Sequence, residues 1–229
     1  NGIGSPPEVG SYRGGHVAPE GAGYNAPMPA TPEIRQFRGR DIAPWLDDVA
    51  RLRIAVFRAW PYLYEGDAGY ERDYLSAYAQ SPDSVFVLAL DGDQVVGAST
   101  GLPLADDQPA FSAPFRKAGL PVAQVFYFGE SVLLPQYRGL GVGHAFFDRR
   151  EVHARALGRF RWTAFCAVDR DGDDPRRPSG HRDNDAFWRG RGYARQAGMA
   201  MQLDWNEAGR GEVGHALTFW LRDWQEGGA

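Results

Sequence analysis

The sequence predicts an α/β fold with a mixed sheet, on three observations. Strand patterns and helical stripes are interspersed along residues 33–222. At residues 131–147 an apolar strand runs through a glycine-rich turn into an amphipathic helix. The 229 residues are 43% hydrophobic and 13% aromatic, a composition typical of one globular domain with its own core.

Residues 1–32 differ from the rest of the chain. Glycine and proline recur there too often for a helix or a strand, and such a stretch cannot build a core. Met28 is the first methionine, which leaves open an origin of residues 1–27 in an expression vector. We therefore expect a leader at 1–32 and one domain at 33–229.

The first half of the domain predicts a strand, two helices and a hairpin. Alternating apolar residues indicate strands, and apolar residues three and four apart indicate helices. Asp41 is a candidate N-cap for the first helix. In order, we expect a strand at 33–37, a helix at 45–57, an aromatic loop at 61–66, a helix at 70–78, and strands at 84–90 and 94–102.

The second half predicts strands and helices in alternation. Gly158 follows a helical stripe and is a candidate C-cap. His153 lies on the side of that helix that the pattern predicts to be exposed. In order, we expect a short helix near 113–118, a strand at 125–134, helices at 144–157 and 184–191 on either side of a strand at 162–168, and final strands at 200–205 and 215–221.

The turn reads Arg138-x-x-Gly141-x-Gly143 and stands directly before a helix. Unpaired N–H groups and the macrodipole make a helix N-terminus attractive to anions, and glycines allow a phosphate to approach the backbone. A Rossmann loop would need glycine where Phe146 stands, and the Gly-Lys-Ser/Thr of a P-loop is absent.

This strand–turn–helix segment resembles the pyrophosphate motif of the GNAT superfamily of acyl-CoA N-acyltransferases. The resemblance implies a mostly antiparallel twisted sheet with splayed fourth and fifth strands and helices on both faces. It also implies an N-acetyltransferase that moves an acetyl group from acetyl-CoA directly to a primary amine in a ternary complex. The implied cofactor contacts are Val132, Leu133, Leu134, Arg138, Gly139, Leu140, Gly141, Val142, Gly143, His144 and Asn184.

The resemblance makes Glu130 the candidate general base, because family members often carry an acidic residue on this strand. Two other interpretations stay open for Glu130, a strand-end charge and a structural ion-pair partner. Trp188 stands where the family usually has a tyrosine acid, and an indole N–H is not an acid at neutral pH. Either Tyr127 or Tyr62 serves instead or the thiolate leaves without an enzymatic acid. The alternative function is a non-catalytic module that binds acetyl-CoA.

The aromatic loop supplies the candidate acceptor site. Tyr62, Tyr64 and Glu65 form an aromatic and acidic set that suits a cationic amine. Simple packing between two helices explains the same residues equally well. We expect the acceptor to be a small-molecule or peptide amine, whose identity the sequence leaves open.

Charge and cysteine content narrow the class of protein. A net charge of −4 gives no electrostatic basis for binding nucleic acid or an anionic membrane. The only cysteine, Cys166, allows no internal disulfide and fits a reducing cytoplasm. No set of residues has metal-ligand spacing, so we expect no metal, and a homodimer stays open.

Overall fold

The computed structural model of the protein describes residues 29–225. The predicted leader thus lies almost wholly outside the described residues. Seven strands form one sheet within the described range: β1 (Glu33–Arg38), β2 (Val85–Asp91), β3 (Gln94–Pro103), β4 (Val125–Leu133), β5 (Trp162–Val168), β6 (Ala194–Glu207) and β7 (Gly211–Asp223). Their order is β1-β2-β3-β4-β5-β7-β6, and only β4 and β5 are parallel neighbours.

Helices cover both faces of this sheet, and each face has its own core. On one face α1, α2 and α3 pack over the strands, and on the other face α4 and α5 do. None of the helices described in 29–225 has the length and apolar character that a membrane span requires. The helices are α1 (Leu46–Phe57), α2 (Ala68–Gln80), α3 (Pro109–Lys117), α4 (Val142–Ala156) and α5 (Asp185–Gly190).

The fourth and fifth strands separate, as the family resemblance implied. Residues 125–127 of β4 pair with residues 162–164 of β5, and the pairing ends there. Beyond that point β4 stays paired with β3 as far as Leu133, and β5 stays paired with β7 as far as Val168. A gap between two supported strands is therefore built into the centre of the sheet.

A bulge in β4 decides which side chains face α1 and α2. The pairing of β3 with β4 shifts between Ser99 and Gly101, which adds one residue to β4 at this point. As a result Gly129 and Glu130 both face α1 and α2, instead of alternating. Ser131 faces α4, where its hydroxyl accepts a hydrogen bond from Arg150.

Three local expectations were wrong. Asp41 lies inside a 3₁₀ helix, and α1 begins only at Leu46 without a side-chain cap. His153 is 2% exposed because Asp83, just before β2, covers that side of α4 and its carbonyl lies 2.8 Å from His153 Nε2. The last two strands are longer than predicted because their alternating polar residues form one solvent-facing side of a long hairpin.

Candidate active site

The glycine turn has the backbone conformation that an anion cradle needs. Gly139 and Gly141 have φ of 82° and 81°, in the left-handed region that favours glycine. A Cβ on either residue would meet no atom within 4 Å, so the space above the turn is open. Gly141 is the N-cap of α4, and the first N–H groups of that helix are directed at this space.

Arg138 stands beside this cradle with an uncompensated charge. Its side chain is half-buried, and no residue described in 29–225 gives it a hydrogen bond or an ion pair. Burial lowers the pKa of the Arg138 guanidinium, since the charged form loses hydration. A pyrophosphate bound to the turn would supply the missing counter-charge.

The gap between the strands exposes backbone groups of β4. The N–H of Leu134 donates to the carbonyl of Val96 in β3, at 2.9 Å. Backbone groups alternate in direction along a strand, so the N–H and C=O of Leu133 face the gap while those of Val132 face β3. Of these three predicted cofactor contacts, Leu133 has the backbone orientation that suits an added strand.

The remaining predicted cofactor residues lie around the start of α4. Leu140 is half-buried, while Val142 and Gly143 are buried in the first turn. His144 is exposed, and its ring lies 4.9 Å from that of Phe187 in α5.

Asn184 lies at the other helix of this face. It directly precedes α5, and its carbonyl accepts the N–H of Trp188 at 3.0 Å. Its side chain does not cap the helix.

Glu130 is fully buried and paired with an arginine. Arg53 of α1 places Nη1 2.5 Å from Glu130 Oε2 and Nε 2.5 Å from Glu71 Oε2, and all three side chains are 0% exposed. The Tyr74 hydroxyl lies 3.5 Å from Glu130 Oε2. Glu130 Oε1 has no hydrogen-bond partner among the described residues. Glu130 thus has an ion-pair partner, as one of the open interpretations required, and its Oε1 stays available to accept a proton.

A second carboxylate lies beyond Glu130 on the same face. The hydroxyl of Tyr78 donates to Asp107 Oδ2 at 3.0 Å. Burial, with a smaller contribution from the negative charge of Glu130, raises the pKa of Asp107 to about 6, although hydrogen bonds from Gln108 and Tyr78 oppose the shift.

Sequence reasoning did not identify Arg53, Tyr78 or Asp107. A signal existed for Arg53, which is a charged residue at a core-facing position of the first helical stripe.

The predicted acceptor residues lie in different environments. The Tyr62 side chain is 1% exposed and packs its ring 5.0 Å from Phe57 and 5.8 Å from Trp205. Tyr64 is 2% exposed, and burial raises the pKa of its hydroxyl. Glu65 is exposed at the surface and joins the β6–β7 hairpin through its N–H.

The candidate acids occupy different environments. Trp188 is 5% exposed, lies 4.9 Å from Phe165 and 5.0 Å from Trp220, and its Nε1 has no hydrogen-bond partner in the described part of the chain. The Tyr127 hydroxyl lies 3.1 Å from Cys166 Sγ, next to the point where β4 and β5 separate. Over residues 29–225, no group of three His, Cys, Asp or Glu side chains is arranged to hold a metal ion.

No protein-family model and no curated protein matches this chain. Solved structures of acetyltransferases do match its fold. The ribosomal-protein-alanine N-acetyltransferase of Brucella melitensis is 15% identical, with 83% of this chain and 99% of that chain covered at a TM-score of 0.52. The structure of yncA of Salmonella typhimurium, solved with its cofactor acetyl-CoA, is 14% identical, with 87% of this chain and 98% of that chain covered at a TM-score of 0.51. An aminoglycoside 6'-N-acetyltransferase complexed with coenzyme A is 16% identical, with 83% of this chain and 96% of that chain covered at a TM-score of 0.53.

Proposed function

We propose that the protein is an acetyl-CoA-dependent N-acetyltransferase that transfers an acetyl group directly to a primary amine in a ternary complex. One observation carries this proposal. The gap between β4 and β5 lies next to a left-handed glycine turn and the guanidinium of Arg138, which has no partner among residues 29–225. Acetyl-CoA joins a thioester arm and a pyrophosphate in one molecule. The gap suits the arm, and the turn with Arg138 suits the pyrophosphate. The matched fold, which includes proteins solved with acetyl-CoA or coenzyme A, supports the same cosubstrate.

Binding of the cosubstrate would use the backbone more than side chains. The turn at Gly139 and Gly141 receives the pyrophosphate, with Arg138 as its counter-charge. The pantetheine arm lies along the gap and pairs with the free N–H and C=O of Leu133, as an added strand does. The thioester then lies near the β4 bulge, where Glu130 stands.

The reaction needs a proton acceptor, because an ammonium group has no lone pair. Glu130 accepts the proton through its unpartnered Oε1 while Oε2 remains paired with Arg53. The amine nitrogen attacks the thioester carbonyl, and a β4 N–H that faces the gap stabilises the oxyanion. The intermediate collapses, the C–S bond breaks, and the thiolate takes a proton from Tyr127 or from water, which regains one as the nitrogen gives up its second proton.

The acceptor is an amine on a small molecule or a peptide, and the cytoplasm is the proposed compartment. An amine panel with acetyl-CoA, followed by free-thiol release and product mass, tests the proposal. We expect the mass of at least one amine to increase by about 42 Da, the mass that acetylation adds, with release of an equal amount of free thiol. Failure of acetyl-CoA to bind in calorimetry would overturn the proposal.

A non-catalytic module that binds acetyl-CoA is the second candidate. The full burial of Glu130 in an ion pair and the tryptophan at position 188 favour it. Binding of acetyl-CoA without turnover on the whole amine panel would decide for this function.

A further inference from the structure

Two tyrosines of α2 connect Glu130 with the edge of the site. Tyr74 and Tyr78 are one helical turn apart, and their ring centroids lie 4.8 Å from each other. Tyr74 reaches Glu130 Oε2 at 3.5 Å, and Tyr78 donates to Asp107 Oδ2 at 3.0 Å. A hydrogen bond between the Tyr78 and Tyr74 hydroxyls joins these two contacts, so a row of hydroxyl and carboxylate groups runs from the buried Glu130 to the half-buried Asp107.

A buried base needs such a row. Glu130 is 0% exposed, so a proton that it accepts in one turnover cannot pass directly to bulk water before the next turnover. Arg53 donates hydrogen bonds and cannot accept a proton from it. We propose that Tyr74 and Tyr78 relay this proton from Glu130 to Asp107, which releases it to solvent. The inference rests on the proposed function and adds the route by which the base is regenerated.

The transfer balances without any charged tyrosine. The carboxyl group of the protonated Glu130 rotates so that its O–H faces Tyr74 and gives its proton to the Tyr74 oxygen, while the Tyr74 hydroxyl proton moves to Tyr78 and the Tyr78 proton moves to Asp107. Three O–H bonds form and three break, and the net change is one proton moved from Glu130 to Asp107. Burial raises the pKa of both tyrosines well above the ordinary value, which keeps them neutral.

Gly129 is an independent observation in favour of this row. A Cβ at Gly129 would lie 2.8 Å from the Tyr78 hydroxyl and 2.6 Å from Thr100 Oγ1, closer than side-chain atoms can approach. The glycine beside the bulge therefore lets the Tyr78 hydroxyl lie directly against β4.

Asp107 suits the end of the row. The groups that face it are Tyr78 and Tyr74 from α2 and Glu130 and Tyr127 from β4, and none of them carries a positive charge. Its pKa, raised to about 6 mainly by burial, lets it accept a proton and release it again near neutral pH.

Replacement of Tyr78 by phenylalanine tests the relay. Tyr78→Phe removes one hydroxyl from the row, and we expect kcat to fall by about 10- to 100-fold with acetyl-CoA affinity unchanged. The solvent deuterium isotope effect on kcat should rise, since reprotonation becomes slow. Asp107→Asn should lower kcat similarly and remove the limb of the pH profile near pH 6.

Ser81→Ala is the matched control. Ser81, at the end of α2, donates to Asp106 at 2.6 Å, so this variant also deletes a hydroxyl–carboxylate bond between the helix and the 104–107 turn. We expect it to keep the wild-type kcat and isotope effect. A Tyr78→Phe enzyme with wild-type kcat and isotope effect would overturn the relay.

A measurement without turnover separates the relay from the proposed function. Carbon-13 NMR of labelled aspartate, assigned with Asp107→Asn, follows the titration of Asp107 in the free protein. We expect its midpoint near pH 6 and a lower midpoint in Glu130→Gln, since one opposing negative charge is removed. Inactivity on every amine refutes the proposed function and leaves no proton to relay, whereas an active enzyme in which Glu130→Gln does not change the titration midpoint of Asp107 refutes the relay alone.

Discussion

Arg53 of α1 lies 2.5 Å from Glu130 of β4, and neither side chain has any exposed surface. Arg53 also lies 2.5 Å from Glu71 of α2, so one guanidinium compensates two buried carboxylates and joins three elements. The group retains a net negative charge directly behind the β4 bulge. This arrangement makes each member expensive to remove.

Glu130→Gln should separate the chemistry from cosubstrate binding. The amide cannot accept a proton, so we expect the turnover number to fall by roughly 10²–10⁴ with acetyl-CoA affinity little changed. Steady-state kinetics and isothermal calorimetry measure both quantities, and full activity near neutral pH would place the base elsewhere.

Glu71→Gln provides the control for stability in that experiment. Both variants remove one buried partner of Arg53, and breaking such a pair costs on the order of 3–5 kcal/mol of unfolding free energy. We expect similar decreases in urea midpoint for the two variants. Only Glu130→Gln should also show the large loss of turnover per folded molecule.

Arg138→Met should weaken acetyl-CoA binding while stabilising the free protein. The guanidinium is half-buried and has no partner in the described part of the chain, so a methionine of similar length removes an unfavourable desolvated charge. Binding loses a charge-assisted hydrogen bond, which is on the order of 1.5–3 kcal/mol or about 10- to 100-fold in Kd. Thermal unfolding without ligand and calorimetric titration check the two effects. A variant that binds acetyl-CoA as wild type does would remove Arg138 from the site.

Gly141→Val should abolish acetyl-CoA binding in a folded protein. A valine at φ 81° is strained, and its side chain fills the space through which a phosphate would approach the turn. Gly158→Val is the matched control, because Gly158 follows the same helix α4, has φ 70° and is equally open. Both variants should lose comparable thermal stability, and only Gly141→Val should lose acetyl-CoA binding. Equal acetyl-CoA affinity in the two would contradict the pyrophosphate assignment.

Local signals predicted the fold well, and long-range contacts limited the prediction of the site. The turn at 138–143 and the hydrophobic periods sufficed for the order of elements, because turn and period are properties of neighbouring residues. The pairing of Arg53 with Glu130 spans 77 positions, the difference between the two residue numbers, and no local pattern indicates it. The β4 bulge was equally hidden, although it decides which side chains face the gap.

Asp107→Asn should stabilise the protein at neutral pH. The pKa of Asp107 is raised from 3.8 to about 6 in the fold, so the stability it contributes is complete below about pH 4 and is lost as the pH rises through 6. Asparagine still accepts the Tyr78 hydrogen bond and has no charge to bury. We expect a gain on the order of 1–3 kcal/mol at pH 7 and none at pH 4.

Asp106→Asn is the control for this pH dependence. Asp106 is exposed and accepts a hydrogen bond from Ser81 in the same turn. Urea unfolding of wild type and both variants from pH 4 to 8 gives the comparison. A stability difference between wild type and Asp107→Asn that stays constant with pH would contradict the raised pKa.

Trp188→Phe should leave turnover nearly unchanged. The indole Nε1 has no hydrogen-bond partner among residues 29–225, and phenylalanine retains an aromatic ring against Phe165 and Trp220. At most one hydrogen bond to a bound cosubstrate is lost, about 1 kcal/mol.

Trp188→Ala distinguishes packing from chemistry at the same position. Removal of the whole buried ring leaves a cavity in the core beneath α5, so unfolding free energy should fall by roughly 3–5 kcal/mol. Steady-state kinetics and thermal unfolding of both variants decide between the two roles. An indole that only packs predicts a graded loss of stability with modest kinetic effects. A folded Trp188→Phe enzyme slowed about a thousandfold, or by about 4 kcal/mol in the barrier, would instead assign the N–H a direct part in catalysis.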